Sequence, residues 1–429
     1  MKAISKSFLA LIALCPMAEL AYAQQPPDVV NSDAYFNTAM GTGALLDLDS
    51  GPCCLSGSGN TASGYAALYD NTTGSNNTAS GISALVSNTT GSNNTASGAE
   101  ALSSNTTGSY NTSFGFQALY SNTTGYGNTA SGYGALYSNM TGDNNTASGS
   151  GALVSNTTGF SNSAAGANAL YSNASGNNNT AFGYFALYSN TTGTYNTAAG
   201  VDALYSNTTG TYNTAVGLET LYSNTTGSAN NASGIQALYN NTTGSNNIAQ
   251  GYAAGYLVTT GSNNIDIGNV GAAADSGAIR IGATSKQTSV YIAGIYGISV
   301  SGSAVMVSST GQLGVAVSSE RFKTAIVPMG SYTAKLDRLR PVSFRLKSDA
   351  TRTRQYGLIA EEVAKVYPEL VIRNEKGRID GVRYDELSPM LLNEAQQQAA
   401  RIRGLEQQVA EIHAELVRIR TTEGRSANR

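Results

Sequence analysis

Positive charge is what this sequence lacks most. Between Ser7 and Ile279 there is no Lys or Arg, and only Lys2, Lys6, Arg280 and Lys286 precede Arg321. A stretch with no basic patch excludes nucleic acid and anionic membrane as partners for that part of the chain. The net charge of -3 therefore averages two unlike halves. There is no Trp, 12% of residues are charged and 48 are Gly, which points to a repetitive architecture rather than one enzyme-like core. Beyond the first residues no stretch is apolar enough for a membrane helix. No metal-ligand spacing, phosphate loop or nucleotide motif occurs, so no cofactor and no metal is expected.

What is present begins with an export signal. MKAISK is basic, FLALIALCPMA is a short apolar core, and Ala21-Tyr22-Ala23 offers a small-x-small cleavage pattern before Gln24. The apolar run is too short to span a bilayer. A lipoprotein site at Cys15 is disfavoured by the bulky Leu14. Once the signal is cut, Cys53 and Cys54 remain, in an oxidising compartment. Adjacent cysteines bridge within one chain only with strain. Bridging between chains is the alternative, and a reactive vicinal thiol pair a third.

From Asn60 the motif N-T-A-x-G-x-x-A-L-x-S-N-T-T-G-x-x recurs every 17 residues, its first Asn falling last at Asn264. The Gly four places on holds from Gly64 to Gly268, and the Leu eight places on from Leu68 to Leu238. An imperfect copy, Asn37 to Gly41, precedes the array by six extra residues that include the Cys pair. So short a period, so rich in Gly, Asn and Thr, suits one coil of a β-solenoid and not a helix pair. Two strand-like pieces per coil are expected, T-A-x-G and A-L-x-S, with N-T-T-G turning the corner. Coils stacked at about 4.8 Å would make a rod roughly 60 Å long. One Leu and two or three Ala per coil form a thin core, which predicts that neighbouring chains add to it.

SNNIDIG at 262–268 and AIRIG at 278–282 resemble the head repeats of trimeric autotransporter adhesins. That resemblance implies β-rolls in a three-chain bundle, although the repeat usual in that family is shorter than 17 residues. The recurrent N-T-T sequons have a sugar-acceptor reading and a turn-chemistry reading, of which the second is the simpler. Tyr follows the Leu at Tyr69, Tyr120, Tyr137, Tyr171, Tyr188, Tyr205, Tyr222 and Tyr239. Such a ladder either stacks on sugar rings or buries at an interchain seam, and the seam is favoured.

After the array, residues 283–317 read as short strands of a neck. A compact α+β module follows. LRPVSFRL is a strand entered through a Pro, IAEEVAKVY is an amphipathic helix halted by Pro368, and Ser388-Pro389 start a last helix. Ile402, Leu405, Val409, Ile412, Leu416 and Ile419 are spaced as a heptad seam whose mixed residues suit a trimer. His413, the sole His, flanks that seam.

SSERFK, LRPVSFRL, GLIAEEV, YPELV and VRYDEL, in this order before the heptads, resemble the intramolecular chaperone domain of phage tail spikes, the endosialidase type. The resemblance covers roughly 318–429. It implies a domain that assembles three chains, guides the folding of the preceding β-stalk and then cuts itself off. The family pattern S-D-x-R-x-K falls on Ser318, Arg321 and Lys323, with Ser319 in place of the Asp. The scissile bond is then Val317–Ser318. The chemistry is sound on its own terms: a Ser hydroxyl needs a base to take its proton, and a Lys freed of its charge by burial serves. The alternative is that Ser318 and Ser319 are linker serines and Lys323 a solvated charge.

The expected organisation is mainly β: signal peptide 1–23, an N-terminal segment 24–59, a β-solenoid 60–282, a β neck 283–317, a chaperone module 318–388 and a coiled coil 389–429. The leading expectation is an exported homotrimeric fibre, secreted or on a bacterial cell surface, adhesin-like, with a carbohydrate or surface ligand. The signal argues against a virion protein, and a chain closing on heptads brings no membrane-barrel anchor. One alternative is an ice- or surface-binding solenoid, weakened because adjacent Thr in N-T-T-G point to opposite faces. Another is a polysaccharide-degrading spike, for which Asp70, Glu100, Asp143, Asp202, Glu219 and Asp266 stand at scattered coil positions. Beyond a single self-cleavage, no turnover of a substrate is expected.

Overall fold

The computed structural model describes residues 31–32, 35–46, 57–283, 286–287, 289–292, 304–308, 310–349, 351–374 and 376–426. The signal segment 1–23, Cys15, Cys53, Cys54 and much of the neck lie outside the described residues. Two compact units, residues 1–293 and 294–429, are described separately.

The first unit is a β-solenoid. Each coil contributes one three-residue strand, T-A-S in five of them, to a single 16-stranded sheet. From the second strand onward the pairs are parallel, and within the regular array the register is the repeat itself: Thr78 lies against Thr95, Ala79 against Ala96, Ser80 against Ser97. The imperfect first copy pairs Thr38 with Thr61, a coil enlarged by the six extra residues. The last coil is shorter, pairing Ile265 with Ile279.

A-L-x-S is not a second strand. The Leu adopts a left-handed conformation in every regular coil, for instance Leu102 at φ 54° and Leu187 at φ 54°, and so does the residue two before it. A left-handed Leu costs energy that any L-residue pays, and the neighbouring coils hold it there. The resulting tight winding turns Leu and its preceding Ala inward together. The Gly after the strand is required for two reasons. Gly98 has φ +141°, and a Cβ there would sit 2.4 Å from the carbonyl oxygen of Gly115.

The core is closed within one chain. The Ala and Leu columns are fully buried from Ala79 and Leu85 to Ala237 and Leu238. What the sequence reading missed is that two Asn per coil are buried with them, at coil positions 1 and 12, from Asn60 and Asn71 onward. Asn105 Nδ2 donates to Asn88 Oδ1 at 2.7 Å and to Gly108 O at 2.9 Å. Asn94 Nδ2 donates to the same Gly108 O at 2.8 Å, and its backbone N–H to Asn77 Oδ1 at 2.9 Å. Repeated coil after coil, these two ladders supplement the thin apolar core, so the expectation that a neighbouring chain must complete it is not needed for closure. The N-T-T Asn is thus structural, its amide spent on a Gly carbonyl, in line with turn chemistry.

In the second unit the strands Val305–Val307 and Leu313–Val315 form an antiparallel hairpin. Strands Val342–Phe344 and Gln355–Gly357 pair antiparallel, as do Val371–Arg373 and Ile379–Val382. Helix α1, Ala360–Val366, stops before Pro368. Helix α2, Tyr384–Ser426, begins four residues before Ser388, so Ser388-Pro389 do not start it and Pro389 lies inside. Packing overrides the proline's missing N–H. The Tyr384 hydroxyl accepts the Leu358 N–H at 2.7 Å, Met390 is buried in the core with Val363, Tyr367 and Leu370, and Leu387 packs against it. Asp385 and Glu386 occupy the first turn, where the helix dipole favours carboxylates.

Candidate functional site

Serine and lysine five residues apart meet only if the chain between them turns. Glu320–Phe322 forms one turn of 3-10 helix, held by Phe322 N–H to Ser319 O at 3.0 Å and Lys323 N–H to Glu320 O at 2.9 Å. That turn swings Lys323 back, and its Nζ donates to Ser318 Oγ at 3.2 Å. The structure therefore brings the two expected site residues together. Val317, Ser318 and Lys323 are all exposed in the single chain, so the burial such a base requires does not come from within it. Ser319, which stands at the turn's N-cap, makes no side-chain capping bond. Arg321 lies over the Phe322 ring, 4.7 Å from its centre.

Behind this turn the module is tied by polar contacts that the sequence did not advertise. Thr333 is fully buried; it donates to Glu394 Oε2 at 3.0 Å and accepts from Asn393 Nδ2 at 2.6 Å. Tyr367 OH donates to Tyr332 O at 3.1 Å, and Tyr332 OH to Glu369. The hydrogen bond to Glu369 holds the Tyr332 hydroxyl above the ordinary tyrosine range. Arg340 pairs with Glu362 at 2.6 Å. The heptad residues Ile402, Leu405, Val409, Ile412, Leu416 and Ile419 all stand exposed along α2, and His413 is exposed beside them.

On the array, tyrosines Tyr171, Tyr188, Tyr205, Tyr222, Tyr239 and Tyr256 form one continuous stack with ring centres 5.1–5.5 Å apart. Inside that stack each ring covers its neighbour's faces, so the faces a sugar would need are taken. A second column, at coil position 6, stands clear: Tyr65, Ile82, Phe116, Tyr133, Tyr184 and Tyr252 are among its exposed members. The acids are less scattered than expected. Glu100, Asp202 and Glu219 share coil position 7, and Asp202 and Glu219 are neighbours in it. Burial, and then the charge of Glu219, raises the Asp202 carboxyl above its ordinary value. The outward Thr come from T-A-S as well as N-T-T-G. Phe114, Phe182 and Val216 interrupt that face. Thr72 Oγ1 is spent on Thr89 O at 3.0 Å. Among the described residues no three metal-capable side chains lie together, and no helix is long and apolar enough to cross a membrane.

No curated protein and no solved structure matches the chain. The family model described as chaperone of endosialidase matches residues 318–372, beginning at the serine that Lys323 contacts. The chain thus carries a chaperone-of-endosialidase domain behind a β-solenoid of about 13 turns.

Proposed function

We propose that this chain is a tail-fibre-like, exported surface fibre that assembles as a homotrimer and then releases its own C-terminal module. The observation that carries the reading is that the matched domain opens at Ser318, whose hydroxyl already lies against Lys323 Nζ at 3.2 Å. With Lys323 in its neutral form, the amine takes the Ser318 hydroxyl proton and Oγ adds to the Val317 carbonyl carbon. The Val317–Ser318 C–N bond then breaks, the proton goes to the new Ser318 amine, and an ester is left. Water hydrolyses that ester, leaving a Val317 carboxylate and a free Ser318. Each chain reacts once, so this is maturation and not turnover.

Exposure of the pair in the single chain supports an assembly-timed cut: association of three chains supplies the cover. The uncovered heptads of α2 are the surface on which that association begins. The position-6 ridge is the surface an in-register copy of the array covers, since only a partner with the same period matches every coil. Winding lean coils in register is slow and prone to mispairing, and a trimer formed first at the C-terminus removes most of that search. The ligand-binding role is adhesin-like, at the cell surface or beyond it.

Intact mass of the secreted protein tests the reading, wild type beside Ser318→Ala and Lys323→Ala. A wild-type product ending at Val317, with both variants full length, upholds it. Full-length product in all three makes the module a permanent clamp and ends the self-cleavage claim.

A further inference from the structure

The alanine columns admit three polar residues, and they differ in one respect. Ser113 donates its hydroxyl to Ala118 O at 2.8 Å, and Thr220 to Gly234 O at 2.7 Å. Asp266, at the position where the preceding coils carry Ala249 and Ala232, is 1% exposed, and its Oδ2 has no hydrogen-bond partner. The surroundings are apolar or small. The Leu of the coil before is replaced by Gly255, where a Cβ would meet Asp266 Oδ2 at 3.2 Å and Leu238 at 2.8 Å. Gly271 approaches from the other side, with both Asp266 oxygens 3.3–3.4 Å from the place of its Cβ. The second Asn of that coil is replaced by Val258, which leaves Asn241 Oδ1 without a donor as well.

The charged groups that face Asp266 are two. Arg280 is its register partner on the last strand, but that guanidinium is committed to Asp275 by two bonds, 2.5 and 2.7 Å. Asp275 adds a like charge. An ionised carboxylate offers acceptors only, and this site gives Oδ2 nothing to accept from. A protonated carboxyl carries an O–H, the feature by which Ser113 and Thr220 satisfy the same wall.

We propose that Asp266 is a proton-controlled latch on the final coil and the strand that closes it, residues 264–282: protonated it closes the coil onto the array, and ionised it loosens it. Burial first, and the Asp275 charge second, push the Asp266 carboxyl up to about 6, with Arg280 opposing. Because the folded value lies above the unfolded one, the stabilisation is present at low pH and is lost as pH rises through about 6. The inference does not depend on self-cleavage.

Hydrogen exchange by mass spectrometry on the full chain tests it, at pH 5 and pH 7.5, with rates corrected for intrinsic chemistry. Peptides within 265–282 are read against an internal reference within 196–230. In the wild type the opening of the last coil should grow about tenfold between the two pH values, while the reference stays level. Asp266→Ala, which restores the column's ordinary residue, should abolish the difference, and Asp266→Asn should do so as well. A wild type with no pH-dependent opening of the last coil, or an Asp266→Ala variant that keeps it, overturns the latch.

Discussion

Asn94 and Asn105 lie 11 residues apart in sequence and donate to one carbonyl oxygen, that of Gly108, at 2.8 and 2.9 Å. The two ladders of the array converge there. Removing Asn105 leaves Asn88 Oδ1 and Asn122 Nδ2 each short of a partner in a site with no water access, so Asn105→Ala should cost about 1–3 kcal/mol. Gly108→Ala should cost at least as much, because the new Cβ would sit 2.4 Å from Asn105 Oδ1 and 2.5 Å from Gly125 O. Urea unfolding of the full chain, followed by far-UV circular dichroism, reads both.

The tyrosine stack makes a graded prediction. Tyr205 is stacked between Tyr188 and Tyr222 at 5.2 and 5.1 Å. The Phe185 ring meets it edge-on at 6.0 Å. Tyr205→Phe keeps all three ring contacts and should be near neutral. Tyr205→Ala loses three aromatic pairs, at about 0.5–1.5 kcal/mol each. Equal losses in both variants would mean that the hydroxyls, not the rings, carry the ladder.

Ser319 stands where the family pattern has Asp, at the N-cap of the turn that carries Lys323, and makes no capping bond. An Asp there can accept from the turn's own N–H groups and hold Lys323 against Ser318. Ser319→Asp should raise the cleaved fraction at a fixed time after expression, read by intact mass. An unchanged or lower fraction would separate the turn's geometry from the rate of the cut.

Leu405 and Ile412 are more than half exposed on α2. The trimer proposal expects Leu405→Asp with Ile412→Asp to convert the protein from three chains to one in light scattering, and to reduce the yield of folded array. A monomeric wild type would remove the proposal at once.

The last coil should show two opposing pH limbs. Hydrogen bonding to Arg280 holds the Asp275 carboxyl below its ordinary value, against the lesser effect of burial. Its folded value is depressed, so its contribution is present above about pH 4 and is lost as pH falls further. Asp266 runs the other way, losing stability as pH rises towards about 6. In hydrogen exchange of peptides within 265–282, Arg280→Gln should shrink the acid limb and, because Arg280 opposes the rise at Asp266, move the neutral limb to higher pH, whereas Asp266→Ala should remove the neutral limb.

Much of the fold was legible from spacing. A 17-residue period with an invariant Gly sets coil length and register, because the register of a solenoid is its repeat. The order of short motifs from Ser318 onward set the identity of the C-terminal module, since a turn, a Pro-led strand and a Pro-stopped helix are each local. The position of the Ser–Lys pair was legible for the same reason: five residues and one turn separate them.

The rest was not local. Nothing in N-T-T-G tells that its Asn points inward, since Asn is ordinarily a surface turn residue. Its own turn supplies the Gly carbonyl, but only stacked copies supply the Asn Oδ1 that completes the bonding and makes burial tolerable. The A-L-x-S piece alternates as a strand would, and only the neighbouring coils force its Leu left-handed. Pro389 marks a helix start by local rules, yet packing around Leu387 and Met390 carries the helix back to Tyr384. Asp266 reads as one more scattered acid until the coil closes over it. The sequence by itself determined the period, the register and the module's identity, because these depend on spacing along one chain. The tertiary structure alone decided which polar groups are buried and what each one bonds, because that depends on contacts with residues 11, 14 or 17 places away.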